Sequence, residues 1–372
     1  MSAAVKTIIA LLSIFLWAPP GWQEAALRSD VKLLKCVTAY RAAAEEYRAD
    51  HVDTAAQTLA HLDPSELRRV LAGLKTMRNG AFVPFVWDRP LLLAAGMLHV
   101  DVAIAEHKQG RHDQFRLHTD FAAAAFEAAD LPRAGTDETA GTAARRSSLA
   151  IARMLLGNGS TALGRQYIEA AMIRFPGDPQ FLATAGTLNE SDATQRMLPE
   201  LPFNDTAVLE QVRSFRDQRL NEAAQLFERA LAADPALVEG RIRLAHVRTL
   251  QHDDPAALLL LNQALAAQPP PPWIYLARLM LGGVQERAGQ VETARQLYLA
   301  AIAIQPEGQS AFIALGQALH AAGDRRGAAD VLARLFARRL TPSADDPWWD
   351  YPFGRWRDAE PMLAGLRAEA RQ

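Results

Sequence analysis

Imidazole and carboxylate side chains concentrate in one stretch of the chain, where they could support metal-dependent chemistry. A zinc-type site needs two or three such groups within about 2–2.2 Å of one ion. His99 and His107 are eight positions apart, which on a helix places them on one face but two turns distant. That spacing is too long for shared ligation without a ligand from elsewhere. The groups concerned are His99, His107, His112, His118, Asp101, Glu106, Asp113 and Asp120.

These histidines are therefore predicted to be cap and turn residues, with His99 as a hydrogen-bonded core histidine. A metal-dependent enzyme that uses the His99–His118 region stays the alternative. The chain contains no HExxH, paired CxxC, P-loop or GxSxG motif. Its single cysteine, Cys36, excludes an intramolecular disulfide and is predicted to be a small buried residue. We predict no catalytic residue, no metal ligand and no cofactor.

The composition favours a folded protein with no affinity for nucleic acid. Of the 372 residues, 49% are hydrophobic and 22% charged, which allows a substantial core and excludes wholesale disorder. Lys and Arg number 40 against 42 Asp and Glu, a net charge of -2. A dominant basic surface is therefore excluded, and with it a typical nucleic-acid binder.

The first residues resemble a secretory signal. Lys6 precedes an apolar run from Thr7 to Ala18, and two prolines then break the helix. We predict a signal peptide over residues 1–26 and a periplasmic or secreted mature protein. The alternative is an uncleaved segment that anchors the chain to the inner membrane. No later stretch is predicted to span a membrane.

Helical periodicity dominates the rest of the chain, with short turns between the helices. Residues 27–135 are predicted to form N-terminal helical hairpins. The stretch 131–147 has the composition of a flexible junction. Beyond it, one pattern recurs with spacings of four, three and five residues between a small residue, a large apolar residue, a second small residue and a proline. The copies are Ala223, Phe227, Ala230, Pro235; Ala257, Leu261, Ala264, Pro269; and Ala294, Tyr298, Ala301, Pro306.

The copies begin 34 and 37 residues apart, and Ala328 with Leu332 continues the same phase. A weaker copy runs from Gly164 to Pro176. Small residues allow two helices to approach, a large residue fills the gap between them, and proline ends the second helix. This repeat resembles the tetratricopeptide repeat. Together with the Leu98–Asp101 helix and the closing aromatic segment, the layout resembles secreted tetratricopeptide proteins of bacteria such as acidobacteria.

The resemblance implies an all-α fold, a right-handed α-solenoid of helical hairpins over residues 136–340. An insertion near residues 181–205 separates two copies, and an additional helix is expected there. Residues 341–372 are predicted to form a C-terminal capping segment, in which the aromatics of Trp348–Trp356 cover the last repeat. The alternative is that these aromatics form a recognition surface.

The resemblance also implies a function. In tetratricopeptide proteins the first helix of each hairpin lines a concave surface that holds a protein segment. We therefore expect a non-catalytic scaffold of the bacterial cell envelope that binds a protein or peptide partner. A structural subunit of an envelope complex is an alternative. Carried onto this register, the partner-binding positions are Ile242, His246, Thr249, Leu279, Gly283, Glu286, Arg287, Ile313, Gln317 and His320.

Overall fold

The computed structural model describes residues 31–75, 81–82, 85–130, 142–195, 206–337, 346–352 and 359–372. The predicted signal peptide lies outside these residues. The chain divides into two compact units, one formed by residues 1–150 with 360–372 and the other by residues 151–359. Almost every described residue in a regular element is helical, which confirms the predicted all-α class.

The first unit consists of helices and one short β-ladder. The ladder joins Ala81–Phe82 to Phe85–Val86 in antiparallel register. The first elements of this unit, in chain order, are α1 (Val31–Arg48), α2 (Val52–Ala60), α3 (Pro64–Lys75), β1 (Ala81–Phe82), β2 (Phe85–Val86), α4 (Arg89–Lys108) and α5 (His112–Ala129). Cys36 is buried in α1, as predicted.

Helices α4 and α5 form a closely packed hairpin. Asp88 caps α4 by accepting a hydrogen bond from the Leu91 amide at 2.9 Å. Gly110, with φ of 73°, makes the turn to α5. A methyl group at Gly96 would lie 2.7 Å from the ring of Phe126, so glycine is what allows this ring to lie against α4.

Helix α4 is also long and apolar enough to span a membrane, judged by its length and composition alone. The expectation that no later stretch meets that test is therefore wrong. The apolar residues of this helix pack inside the protein, because 61% of its most apolar stretch is buried.

The last helix of the chain packs in the first unit. It is α17 (Ala359–Arg371), and its Leu363 and Leu366 are buried. Arg367 pairs with Asp101 at 2.7 Å, and Arg146 donates to both carboxylate oxygens of Glu369 at 2.7 and 2.8 Å. The predicted capping segment 341–372 is thus divided between the two units.

The second unit is an array of helical hairpins. Helix α6 begins in the first unit and ends in the second. The hairpins are α8–α9, α10–α11, α12–α13 and α14–α15, and α7 precedes them. The elements are α6 (Thr142–Gly157), α7 (Thr161–Arg174), α8 (Pro179–Gln195), α9 (Thr206–Ala233), α10 (Val238–Leu250), α11 (Asp254–Ala266), α12 (Pro271–Arg287), α13 (Val291–Ile304), α14 (Gln309–Ala321), α15 (Arg325–Phe336) and α16 (Pro347–Asp350).

The repeat columns meet inside each hairpin, which confirms the predicted solenoid of tetratricopeptide-type hairpins. A methyl group at Gly282 of α12 would lie 2.4 Å from the ring of Tyr298 in α13, and one at Gly186 of α8 would lie 2.7 Å from Phe227 in α9. The small residues of the columns are fully buried: Ala223, Ala230, Ala257, Ala264, Ala294 and Ala301.

The insertion is accommodated in a way that differs from the expected extra helix. Pro179–Gln195 is the first helix of a hairpin, and the second helix, Thr206–Ala233, is extended to 28 residues. The additional sequence therefore lies between the two helices of one hairpin and in the start of the second. Residues 196–205 lie outside the described part of the chain.

Candidate protein-binding face

Residues 346–352, here called the aromatic segment, lie on the side of the second unit formed by the first helices of the hairpins. We call this side, contributed by α8, α10, α12 and the start of α14, the first-helix face. Tyr351 belongs to the core cluster that joins α10 to α14, and Trp348 packs against the same cluster. The aromatic segment therefore lies where the resemblance places a bound peptide.

A buried charge cluster holds one end of this segment. Glu190 of α8 is 3% exposed and Arg243 of α10 is 1% exposed. Arg243 Nη1 donates to Glu190 Oε2 at 2.9 Å, and its Nε donates to Glu239 Oε1 at 3.0 Å. His246 Nδ1 lies 2.6 Å from Glu190 Oε1. The cluster thus joins two neighbouring hairpins through their first helices.

Tyr351 completes the cluster. Its hydroxyl donates to Glu190 Oε1 at 2.5 Å, and its main-chain carbonyl accepts from Arg243 Nη2 at 3.0 Å. The guanidinium of Arg243 lies over the Tyr351 ring, 4.5 Å from its centroid, which adds a cation–π contact. One tyrosine is therefore recognised through its hydroxyl, its ring and its main chain.

The charges in the cluster favour one protonation state. Burial opposes ionisation of Glu190, but Arg243, and then His246 and Tyr351, hold the pKa of its carboxyl below the usual value. Burial, and then the Glu190 carboxylate, raise the pKa of Tyr351 well above its usual value. The pocket therefore holds an ionised carboxylate against a neutral phenol, the pairing in which the hydroxyl donates.

Stacked rings extend the contact along the segment. Trp348 and Tyr351 stack with centroids 5.4 Å apart and planes 4° from parallel. The imidazole of His246 meets both rings edge-on, at 5.8 and 5.2 Å. The neighbouring Trp349 is 53% exposed. Trp348 and Tyr351 therefore pack on the first-helix face, whereas Trp349 points away from the core.

Asp346 holds the other end of the aromatic segment. Its carboxylate caps α16 by accepting from the Trp348 amide at 3.0 Å, and it accepts from the Ser310 amide at the start of α14 at 2.7 Å. Tyr275 of α12 also hydrogen-bonds to this carboxylate. The segment is thus fixed at two points, an aspartate at one end and a tyrosine at the other.

The predicted partner-binding positions differ in how far they are exposed and in what they contact. Ile242 and Leu279 are buried, at 0% and 9% exposure, in the core cluster that also contains Tyr351, so their assignment to the partner-binding surface stays a prediction. Each first helix contacts its own second helix and its neighbours, which leaves only a narrow stripe for a partner. Thr249 and Gly283 are half-buried.

Glu286 and Arg287 are engaged by other side chains. Tyr298 donates to Glu286 Oε2 at 2.9 Å, and Arg287 pairs with Asp254 at 2.7 Å. On α14 the remaining three positions, Ile313, Gln317 and His320, are exposed along one stripe of the helix. We call these three the α14 stripe. The structure thus brings His246 to the aromatic segment and leaves the α14 stripe open.

The sequence pattern does not single out Glu190, Arg243 or Tyr351 as functional candidates. One signal points to Arg243, which lies between Ile242 and Leu244 among the apolar positions of α10, whereas Glu190 is one of several polar residues in α8. Long charged side chains are seldom fully buried unless they are paired. The pairing with Tyr351 joins residues 161 positions apart and has no local signature.

The histidine-rich region forms a pair rather than a ligand set. His99 Nδ1 and His118 Nδ1 are 3.0 Å apart, and His99 is fully buried between the rings of Tyr40 and Phe121. Burial, and then His118, hold the pKa of His99 well below its usual value. No group of three metal-ligating side chains is assembled among the described residues. His99 is thus the core histidine that the sequence predicts.

Comparison with known sequences gives one limited similarity. No protein-family model matches the chain. A cellulose synthase operon protein C of Xanthomonas axonopodis pv. citri (strain 306) is 29% identical over 204 residues, which cover 50% of this chain and 13% of that protein. The matched half of the chain therefore spans only a small part of that relative's length.

Solved structures that are similar to the chain include three bacterial proteins. MamA (residues 41 to the end) of Desulfovibrio magneticus RS-1 is 20% identical, with a TM-score of 0.38 over 54% of this chain and 98% of that one. TTC0263, a tetratricopeptide protein of Thermus thermophilus, is 18% identical, with a TM-score of 0.38 over 60% and 98%. PilF of Pseudomonas aeruginosa is 14% identical, with a TM-score of 0.39 over 59% and 90%. These values are low, and the fold is established by the chain's own helices and repeats.

Proposed function

We propose that this chain is a non-catalytic scaffold that binds a segment of a partner protein on its first-helix face. The observation that carries the proposal is the buried cluster of Glu190, Arg243 and His246. This cluster binds the aromatic segment through both the side chains and the main chain of that segment. A hydrogen-bonded carboxylate and guanidinium, together with aromatic contacts, are groups that anchor peptides in protein grooves.

The α14 stripe extends this face toward the last hairpin. Ile313, Gln317 and His320 are exposed and supply an apolar, an amide and an imidazole group along one line. Arg287 lies exposed on the neighbouring first helix α12, beside Asp254. We therefore propose that a partner segment runs over α12 and α14 and contacts these four side chains.

Partner capture by the purified full chain tests the proposal. Affinity capture from extracts of the native bacterium, read by mass spectrometry, should recover a partner that the Arg287→Ala, Gln317→Ala, His320→Ala variant no longer retains. A matched variant, Leu259→Ala with Leu299→Ala, changes exposed residues of the second helices α11 and α13 and should retain it. Equal capture by both variants, with unchanged melting, would move the binding site away from the α14 stripe.

We also propose that the protein acts outside the cytoplasm, in the periplasm or as a secreted protein. The support is the sequence from Lys6 to Ala18. Mass spectrometry of the native N-terminus should find a mature chain that begins near residue 26. A cytoplasmic protein that keeps Met1 would contradict export.

A further inference from the structure

We propose that Glu190, Arg243 and His246 form a tyrosine-recognition pocket, which the chain's own Tyr351 occupies and which a tyrosine-bearing segment of a partner protein enters by displacing it. The inference rests on the proposed scaffold function and adds the chemistry of the partner. It also gives the aromatic segment a role other than covering the last repeat.

The pocket is formed by the repeats and not by the segment that fills it. Glu190 comes from α8, and Arg243 and His246 come from α10. The contacts of Arg243 with Glu190 and Glu239, and of His246 with Glu190, do not involve Tyr351. The walls therefore hold one another in place, and a preorganised site loses less conformational entropy on binding.

The contacts in the pocket are those of a receptor with a peptide. Arg243 donates to a main-chain carbonyl, which any peptide can supply, and Glu190 accepts from a hydroxyl, which selects the side chain. The guanidinium covers the ring face, and His246 meets the ring edge-on. A second ring three positions earlier, here Trp348, lies against the same imidazole.

The hydroxyl should decide between tyrosine and its analogues. Phenylalanine would fill the ring site but would leave Glu190 without its phenol donor, and a hydrogen bond to a charged group is worth roughly tenfold or more in affinity. A phosphorylated tyrosine would place its negative charge against the Glu190 carboxylate and should be rejected. The preferred partner segment therefore carries an unmodified tyrosine with an aromatic residue three positions before it.

Displacement is physically reasonable because the departing segment is short. The residues that hold it belong to α16, which has four residues, and to its flanks. When Tyr351 leaves, Glu190 and Arg243 keep their mutual ion pair and open to water, so they are not left unpaired in a core. The chain's own segment has the advantage of an effective concentration on the order of millimolar, so a partner must bind with more contacts than Tyr351 makes.

A labelled peptide with the sequence of residues 346–352 tests the pocket in the full-length protein. Fluorescence anisotropy should show binding to the Trp348→Ala, Tyr351→Ala variant, in which the pocket is vacated. The wild type and the Trp349→Ala variant should bind at least about tenfold more weakly, because Tyr351 still competes in both. Trp349 is the matched control, since it is exposed and lies next to Trp348 in sequence.

Two changes locate the binding in the pocket. Replacing the tyrosine of the peptide with phenylalanine, and adding Glu190→Gln to the vacated variant, should each weaken binding about tenfold. Tyr351→Phe supplies a milder test that keeps the ring in place. Its peptide affinity should exceed that of the wild type, because the internal competitor loses its hydrogen bond to Glu190.

Several outcomes would overturn the tyrosine pocket. They are equal peptide affinity in the wild type and the vacated variant, no binding to a vacated variant that keeps its helical circular dichroism, and equal affinity in the wild type and Tyr351→Phe. If the vacated variant does not fold, the Tyr351→Phe comparison decides. Loss of the pocket while partner capture still depends on the α14 stripe would leave the scaffold proposal standing. Loss of both would remove the proposed function itself.

Discussion

Single glycines decide how closely the helices of a hairpin approach. Gly282 and Gly283 are adjacent in α12, but only Gly282 faces the Tyr298 ring, which would lie 2.4 Å from a methyl group at this position. At Gly283 the nearest atom is 3.8 Å away. An alanine substitution at Gly282 therefore tests the packing of the hairpin, whereas the same substitution at Gly283 tests helix propensity alone.

We expect Gly282→Ala to lower the free energy of unfolding by about 1–3 kcal/mol, because the methyl group overpacks the hairpin. Gly283→Ala should raise it by up to about 1 kcal/mol, the gain in helix propensity. Thermal and urea unfolding followed by circular dichroism measures both. Stabilisation by both substitutions would show that the Tyr298 ring moves aside without cost.

The repeat columns make a second prediction at single residues. Phe227→Ala should cost about 3–5 kcal/mol, because the ring fills the gap beside Gly186 and leaves a cavity. Ala230→Leu and Ala301→Leu should each cost about 1–3 kcal/mol, since both alanines are fully buried. Urea unfolding checks all three, and unchanged midpoints would contradict the register of the repeats.

At the scale of elements, the sequence predicts the hairpins wherever small and large residues alternate in the right columns. The same columns occur in α5 of the first unit, where Ala122, Phe126 and Ala129 repeat the spacing of four and three and are buried. The sequence pattern predicts α4 and α5 as a hairpin but does not identify the repeat there. The reason is physical: α4 has 20 residues and α5 has 18, so the proline and the period that mark the later copies are displaced.

The position of the last helix could not be predicted from local pattern. Helix α17 is amphipathic, and such a stripe indicates that the helix packs but not on what. Its charged partners, Asp101 and Arg146, lie more than 200 positions earlier in the chain. Two ion pairs and a stripe of buried leucines thus hold helix α17 in the first unit.

We expect Leu366→Ala to destabilise the first unit by about 2–5 kcal/mol, since Leu366 is fully buried in α17. Hydrogen exchange read by mass spectrometry should show faster exchange in α4 and unchanged exchange in α12. Met362→Ala is the control, because this side chain of the same helix is only half-buried. Faster exchange in α12 with no change in α4 would contradict the assignment of α17 to the first unit.

At the scale of the whole molecule, the candidate site depends on contacts that sequence periodicity does not encode. Periodicity predicts which side of α10 is buried, but Ile242 and Arg243 are adjacent and both buried, one in the core and one against Tyr351. Tetratricopeptide register assigns Ile242 and His246 to the binding surface. Only the folded chain shows that His246 reaches the aromatic segment while Ile242 packs inside.

The two units should respond to acid in different pH ranges, because they bury different titratable groups. In the first unit, burial lowers the pKa of His99, His107 and His118 below the usual value near 6.5, with a neighbouring histidine contributing at His99 and His107. Glu106 acts in the opposite direction on His118. In the second unit, the Glu190 carboxyl has a lowered pKa, owing to Arg243 despite its burial.

Acidification lowers the stability contributed by both groups, but it does so in a different pH range for each. A histidine that is harder to protonate when folded leaves the unfolded chain with more bound protons, so its contribution to stability is complete above about pH 6.5 and falls as the pH decreases. The Glu190 contribution is complete above about pH 4.5 and falls only below it. The first unit should therefore lose stability first on acidification.

We expect hydrogen exchange, corrected for the intrinsic pH dependence of amide exchange, to show reduced protection of α4 at pH 5.5 relative to pH 7.5. Protection of α10 and α12 should remain until the pH falls below about 4.5.

His99→Phe should reduce the pH dependence of α4 protection between pH 7.5 and 5.5, because the buried titrating ring is removed. This holds whatever the effect of the substitution on stability at neutral pH. Glu190→Gln should instead alter the response of α10 below pH 4.5 and leave that of α4 unchanged. Simultaneous loss of protection in both units at pH 5.5, or an unchanged slope in His99→Phe, would show that the buried histidines do not control the acid response.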